Sequence, residues 1–316
     1  MTASFTSAVV TGGAGFIGSN LVDALVARGV RVAIVDNLSR GSRANLQSAL
    51  GAGATLYELD ITEASAMRHV MSTERPEAVF HLAAQIDVHS SVADPARDAA
   101  VNVGGTVNLL EGARAAGAQR FVFASTGGAI YGDPDVIPTP ETAPAHPVSP
   151  YGQSKFAAEE YCRLYGRMHG IAPTIVRYAN VYGPRQDPHG EAGVVAIFAS
   201  CLLEGRTPTI FGDGLQTRDY VYVGDVVAAT LAAADAGLEG PYNVGCGRET
   251  SVQGLLDVIA GAAGVEAEPE FRPGFSEGVR RSCLDAGRAR RDLGWVPATG
   301  LEAGIAATVA ALADAA

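Results

Sequence analysis

Two residues four apart carry the first hint of chemistry. In Ser149-Pro150-Tyr151-Gly152-Gln153-Ser154-Lys155 a phenol and an ammonium fall on one face of a helix, one turn apart. A nearby ammonium favours the phenolate, so this spacing predicts a tyrosine pKa lowered from about 10 towards neutral. Such a base can take a proton from a hydroxyl and later return it. Upstream, Phe121 to Ala124 ends in a hydroxyl pair, and either Ser125 or Thr126 could hold the reacting oxygen beside the phenol. Tyr-x-x-x-Lys alone is a weak pattern. Its weight comes from Thr11-Gly12-Gly13-Ala14-Gly15-Phe16-Ile17-Gly18 near the start of the chain. Those glycines permit a tight turn, close approach of backbone to a pyrophosphate, and close packing of helix on strand. The helix they open offers free N–H groups and the positive end of its dipole to phosphate.

Asp36 stands about 20 residues beyond the glycines, where a carboxylate accepts hydrogen bonds from the adenosine ribose and repels the additional phosphate of NADP. NAD is therefore the expected cofactor, although Arg40 and Arg43 in the same loop would suit NADP. Asp60 could accept from the adenine amino group or cap the helix after it.

The elements that must position these residues are legible as alternating apolar runs and helical segments, which predict parallel βαβ units. Strands are expected at Ala8–Thr11, Val30–Val35, Tyr57–Leu59, Ala78–Leu82, Phe121–Ala124 and Thr174–Val176. Helices are expected at Phe16–Ala27 and Ala96–Ala116, and from Ser149 as N-cap with Pro150 in the first helical position. Pro184 to Gly190 reads as a surface loop at a domain transition. Beyond it, helices at Val194–Glu204, Val226–Ala236 and Val252–Ala263 alternate with short strands near Ile210, Tyr220 and Tyr242, and Leu301–Ala316 forms a terminal helix. The fold class is α/β: a doubly wound parallel sheet of the Rossmann type with a smaller C-terminal α/β substrate domain. The division expected is 1–179 for NAD, also receiving segments near 220–245, and 180–316 for substrate.

The totals bound the rest. At 316 residues the chain can bury a sizeable core, and with 47% hydrophobic and 18% charged residues it belongs with globular enzymes. A net charge of -11 argues against a nucleic-acid surface. Cys162, Cys201, Cys246 and Cys283 are far apart and read as reduced thiols of a cytoplasmic protein. His89, His146 and His189 make no metal-ligand pattern, so no metal is expected. No signal peptide and no membrane span are expected.

Taken together, TGGAGFIGSN, VDNLSRG, HLAA, VNVGGTVNLLE, the Ser/Thr loop, SPYGQSK, VRYANVYGPRQ, RDYVYVGDV and LGW resemble the UDP-glucose 4-epimerase branch of the extended short-chain dehydrogenase/reductases, over nearly the whole chain. The resemblance implies that Tyr151 takes the 4-hydroxyl proton of a UDP-hexose while a hydride passes from C4 to tightly held NAD. The 4-keto sugar then swings about its diphosphate and the hydride returns to its other face. It implies that Lys155 holds the nicotinamide ribose and that Thr126 is the family's hydroxyl, with Ser125 the alternative. It also implies that Gly12, Gly15, Phe16, Ile17, Gly18, Asp36, Asn37, Asp60, Ile61, Leu82, Ala83, Ala84, Asn102 and Tyr178 line the cofactor. Asn180, Arg218, Arg272 and Glu277 would grip the UDP moiety, and the active unit would be a homodimer. Gly127-Gly128 stand where dehydratase relatives carry Asp-Glu, which disfavours elimination of water.

Small Ser282 would tolerate an N-acetyl group at C2, and Arg185 could pair with the carboxylate of UDP-glucuronate. A net sugar-nucleotide reductase and a non-catalytic NAD-binding sensor are the other readings. His81 is expected as a satisfied core histidine, and Trp295 as core. Tyr131 could contact sugar or pack, and Asp94, Asp98 and Glu111 are expected on solvated helix faces.

Overall fold

Continuous apolar strands bury both faces of a parallel sheet, and seven of them do so here. The computed structural model describes residues 4–188, 193–273 and 279–315. The strands are β1 (Ser7–Thr11), β2 (Arg31–Val35), β3 (Thr55–Tyr57), β4 (Ala78–His81), β5 (Arg120–Thr126), β6 (Ala172–Tyr178) and β7 (Tyr242–Val244). Their spatial order is β7-β6-β5-β4-β1-β2-β3, all parallel. The chain runs outward from β1 to β3, then restarts at β4 on the other side of β1. A crevice therefore opens beyond the carboxyl ends of β1 and β4, where ligands of such sheets bind.

Adjacent residues of a strand face opposite layers, as Val9 and Val10 do in belonging to different cores. One layer holds α1 (Phe16–Ala27) and α6 (Val223–Ala236). The other holds α2 (Ala64–Glu74), α3 (Gly105–Ala116) and α4 (Pro150–His169). A third core, with Tyr182, Phe198, Leu255 and Ile305, joins α5 (Val194–Leu203), α7 (Val252–Ala263) and α8 (Leu301–Ala315). Trp295 is buried in the first core and donates from Nε1 to the Asp225 carbonyl at 2.9 Å.

Both ends of α1 and of α7 fall where their sequences place them. The third strand does not: it covers Thr55–Tyr57 and not Tyr57–Leu59. Its last ladder partner is Val35 opposite Tyr57, and β2 ends there. The helix expected at Ala96–Ala116 is interrupted by a π turn over Ala100–Gly104, preceded by a short helix at Pro95–Ala99. In the loop expected from Pro184 to Gly190, described as far as Pro188, Arg185 pairs with Asp23 of α1 at 2.6 Å. That ion pair takes the arginine away from the glucuronate role, because its charge is already matched.

Candidate active site

The glycine turn follows β1, and its geometry explains its composition. Gly12 has φ +69, and a Cβ there would lie 2.6 Å from the Ala83 backbone nitrogen. A Cβ on Gly18 would strike the Gly12 carbonyl. The first turn of α1 has no side-chain cap and no acidic residue, so Phe16, Ile17 and Gly18 present the positive end of the helix with no carboxylate of that turn neutralising it. A cradle from which side chains are excluded, beside an uncapped helix end, fits a dinucleotide pyrophosphate.

Asp36 is buried and accepts from the N–H groups of Ala14 and Leu38, each at 2.9 Å, which fixes its carboxylate at the rim of the turn. Asn37 donates to Asp60 at 2.8 Å. Asp60 does not cap α2, whose N-cap is Glu63; it closes its own turn on the N–H and hydroxyl of Thr62. Burial alone would raise the Asp60 pKa, but the bonds from Thr62 and Asn37 outweigh it and hold the carboxyl below its ordinary value. Ile61 packs beneath Gly105, and Leu82, Ala83 and Ala84 follow β4 along the crevice floor.

Two positions carried over as cofactor contacts make hydrogen bonds within the chain. Tyr178 is buried with its hydroxyl 2.7 Å from that of Thr230. Asn102 accepts from the Gln85 N–H at 2.8 Å and shares its two amide protons among the Gln85 carbonyl, Asp98 and Ser154, so its amide clamps Gln85. Asp98 is buried, not solvated, and its Oδ2 has no partner among the described residues.

Ser149 accepts from the Gly152 N–H at 3.1 Å and Pro150 starts α4, placing Tyr151 in the first turn and Lys155 in the second. Thr126, at the end of β5, hydrogen-bonds the Tyr151 side chain. Ser125 is not the alternative: its hydroxyl donates to buried Glu159 at 2.6 Å, which also receives the Arg177 fork. The pKa expectation for Tyr151 is also corrected. Burial pushes the phenol up to about 12, and the Thr126 hydrogen bond offsets only part of that rise. Lys155 stacks 4.2 Å from the centroid of the Phe123 ring, and burial lowers its pKa to about 8. Tyr131 is buried, bonded to Asn243 and Arg177, and so packs without facing the crevice.

Asn180 joins this group. A Cβ on Gly128 would lie 3.8 Å from Asn180 Oδ1 and 4.0 Å from Thr126 Oγ1. Gly127 has no such room, since a Cβ there would run into Leu284. Arg218 is half-buried and, among the described residues, bonds only backbone carbonyls, those of Thr217 and Arg280. Burial lowers its pKa, and no carboxylate of the described residues pairs with it, so it is a desolvated cation open to an anion. Ser282 pairs with Arg218 in the strand ladder. Arg272 is exposed and forked on Glu270, its own neighbour along the strand, while Glu277 lies outside the described residues.

The model of the NAD dependent epimerase/dehydratase family matches residues 8–245. The chain belongs to that family. It is 51% identical to the UDP-glucose 4-epimerase of Mycolicibacterium smegmatis, over 95% of this chain and 96% of that one. It also resembles the structure of the Thermotoga maritima UDP-glucose 4-epimerase with UDP-glucose, at 47% identity and TM-score 0.94, covering 98% of this chain and 99% of that one. The Thermus thermophilus UDP-glucose 4-epimerase in complex with NAD gives 44% identity and TM-score 0.92, covering 98% and 100%.

Within this member of the epimerase/dehydratase family, sequence reasoning missed Tyr220. Its hydroxyl is buried beside Arg218 without a hydrogen-bond partner among the described residues, and burial pushes it up to about 12. Its two-residue spacing from Arg218 along an extended segment, which directs both side chains to one face, was the available signal.

Proposed function

We propose that this protein is an NAD-dependent UDP-glucose 4-epimerase that interconverts UDP-glucose and UDP-galactose. The observation that carries the reading is the meeting of Tyr151 with the Thr126 hydroxyl above a glycine cradle at the switch point of the sheet. Gly12, Gly15, Phe16, Ile17, Gly18 and Asp36 would hold NAD, which would supply a reversible hydride acceptor there. Thr126 steadies the sugar 4-hydroxyl and Tyr151 takes its proton, then returns it once the sugar has turned. Arg218, with Asn180 and Tyr220, holds the diphosphate while the hexose rotates, because an unmatched guanidinium suits phosphate. The absence of side chains at Gly127 and Gly128 leaves no acid/base pair there to expel water from the sugar.

The three cores support a division of labour near residue 179, with α6 and β7 returning to the nucleotide-binding part. A homodimer is supported by Tyr161, Leu164 and Met168, exposed on one face of α4 at helical spacing, with Val92 exposed on the short helix Val88–Ala93, which packs against α4. Four free cysteines support a reducing compartment, the cytoplasm. A second substrate, UDP-N-acetylglucosamine, is favoured by the small Ser282 beside Arg218.

The test is to incubate the purified protein with UDP-galactose, UDP-glucose and their N-acetyl forms, adding no cofactor, and to identify products by NMR. Interconversion is expected, and Tyr151→Phe abolishes it while NAD stays bound. Stoichiometric release of reduced cofactor would make the protein a reductase, and turnover surviving Tyr151→Phe would remove Tyr151 as the base.

A further inference from the structure

Between the glycine turn and the catalytic helix lies a row of buried polar side chains that the proposed reaction leaves unexplained. Thr11, last residue of β1, pairs with His81, last residue of β4. The Thr11 hydroxyl is 2.8 Å from His81 Nδ1, and His81 Nε2 is 2.9 Å from the Thr106 hydroxyl. Thr106 donates to the Asn102 carbonyl at 2.6 Å. The Asn102 amide donates to the Ser154 hydroxyl at 3.0 Å, and Ser154 donates to the Tyr151 carbonyl at 3.0 Å. Thr11, His81, Asn102, Thr106 and Ser154 are all buried.

The direction of every bond is fixed from the far end. A carbonyl only accepts, so the Thr106 proton is spent on Asn102 and its oxygen must accept from His81 Nε2. Burial, reinforced by the Lys155 charge, holds the imidazole well below its ordinary pKa and hence neutral. A neutral ring with its proton on Nε2 accepts at Nδ1, so Thr11 donates there. The Asn102 amide is oriented by the Gln85 N–H, which must donate to its oxygen. Donors thus run one way from Thr11 to the Asn102 carbonyl, and bonds so aligned polarise one another; from there the Asn102 residue itself links to Ser154 and the first turn of α4 through its side-chain amide.

We infer that this chain is a coupling device: His81 and Thr106 are positioning residues that transmit the placement of the cofactor turn to Tyr151. The π turn at Ala100–Gly104 contributes by setting the Asn102 carbonyl towards Thr106 and its amide towards Ser154. The inference rests on Tyr151 being the base.

Thr106→Val removes the central hydroxyl and keeps its shape, Thr106→Ser restores it, and Ser154→Ala opens the chain at its other end. In the full chain with its NAD, Thr106→Val is expected to lower kcat about tenfold, with KM for UDP-galactose within about twofold, because the base shifts while the nucleotide grip does not. Thr106→Ser returns kcat to within about twofold of the parent. The double variant Thr106→Val/Ser154→Ala costs no more than the worse single change, since one chain is broken only once. Amide exchange followed by mass spectrometry quickens in both Gly12–Gly18 and Pro150–Lys155. If Thr106→Val fails to fold, quickened exchange at Gly12–Gly18 in Ser154→Ala decides the matter, that segment being reached from Ser154 through the chain. An unchanged kcat and exchange, a Thr106→Ser as impaired as Thr106→Val, or fully additive losses would overturn the inference. Turnover by Tyr151→Phe overturns the reading of the base instead.

Discussion

A buried lysine with no carboxylate in ion-pair reach among the described residues is a cost to the fold. Lys155 is 3% exposed, and its pKa falls from 10.5 to about 8 through burial. The unfolded chain therefore binds more protons between those values, and stability rises with pH across that window. The buried thiols of Cys162, Cys246 and Cys283, raised from 9.0, act the other way above pH 9, as does Tyr151, raised from 10.0 to about 12, above pH 10, so the net gain is confined to roughly pH 8–9. At pH 7 the buried ammonium costs on the order of 3 kcal/mol. Lys155→Met should raise stability at pH 7 by about 1–3 kcal/mol, abolish the rise from pH 8 to 9, and abolish turnover. Urea denaturation across that pH range checks it, and a less stable variant would mean that the stack on Phe123 outweighs desolvation. Tyr151, Lys155 and Thr126 were legible as chemistry, but the sign of the tyrosine shift was not. Spacing reports an ammonium one turn away; it does not report that the ammonium lies over an aromatic ring. Ser125 could have been set aside on parity: it continues the series Phe121, Phe123, whose side chains enter the core beneath α4.

The ends of elements were legible where a local signal marks them. Ser149-Pro150 opens α4, and Gly170 in the left-handed conformation closes it. β3 was misplaced because a strand ends where its neighbour stops pairing, a fact about β2. The π turn was invisible for the same kind of reason, since Asn102 is turned inward by partners at Gln85 and Ser154. The glycine turn is the opposite case, dictated by local sterics. Gly12→Ala would combine a left-handed backbone costing about 1–2 kcal/mol with a Cβ 2.6 Å from the Ala83 nitrogen. Relief requires moving Ala83 and with it the crevice floor. The variant is expected to fold with a melting temperature lowered by several degrees, about 2–4 °C per kcal/mol lost, and to emerge from desalting without NAD. Full retention of NAD, measured by absorbance after acid release, would mean that the cradle does not hold the pyrophosphate.

At the scale of the whole molecule, the catalytic helix faces two ways. Tyr151 and Lys155 are the residues proposed to serve the crevice, while Tyr161, Leu164 and Met168 turn outward, 40%, 36% and 63% exposed. Three large apolar side chains one turn apart, on a surface that otherwise carries a net charge of -11, form a patch that water disfavours. A second copy of the same face would cover it, and a two-fold axis matches such a patch with itself. Charges placed there would be buried unpaired in the dimer yet solvated in the monomer, so Leu164→Asp/Met168→Asp penalises association without touching the fold. Light scattering should give the parent twice the 32.4 kDa of one chain and the double variant a single chain. Because α4 also carries the base, separation should loosen its outer half first and lower kcat by a few-fold while NAD stays bound. A parent that already runs as one chain, or a variant that still pairs, would place the interface elsewhere.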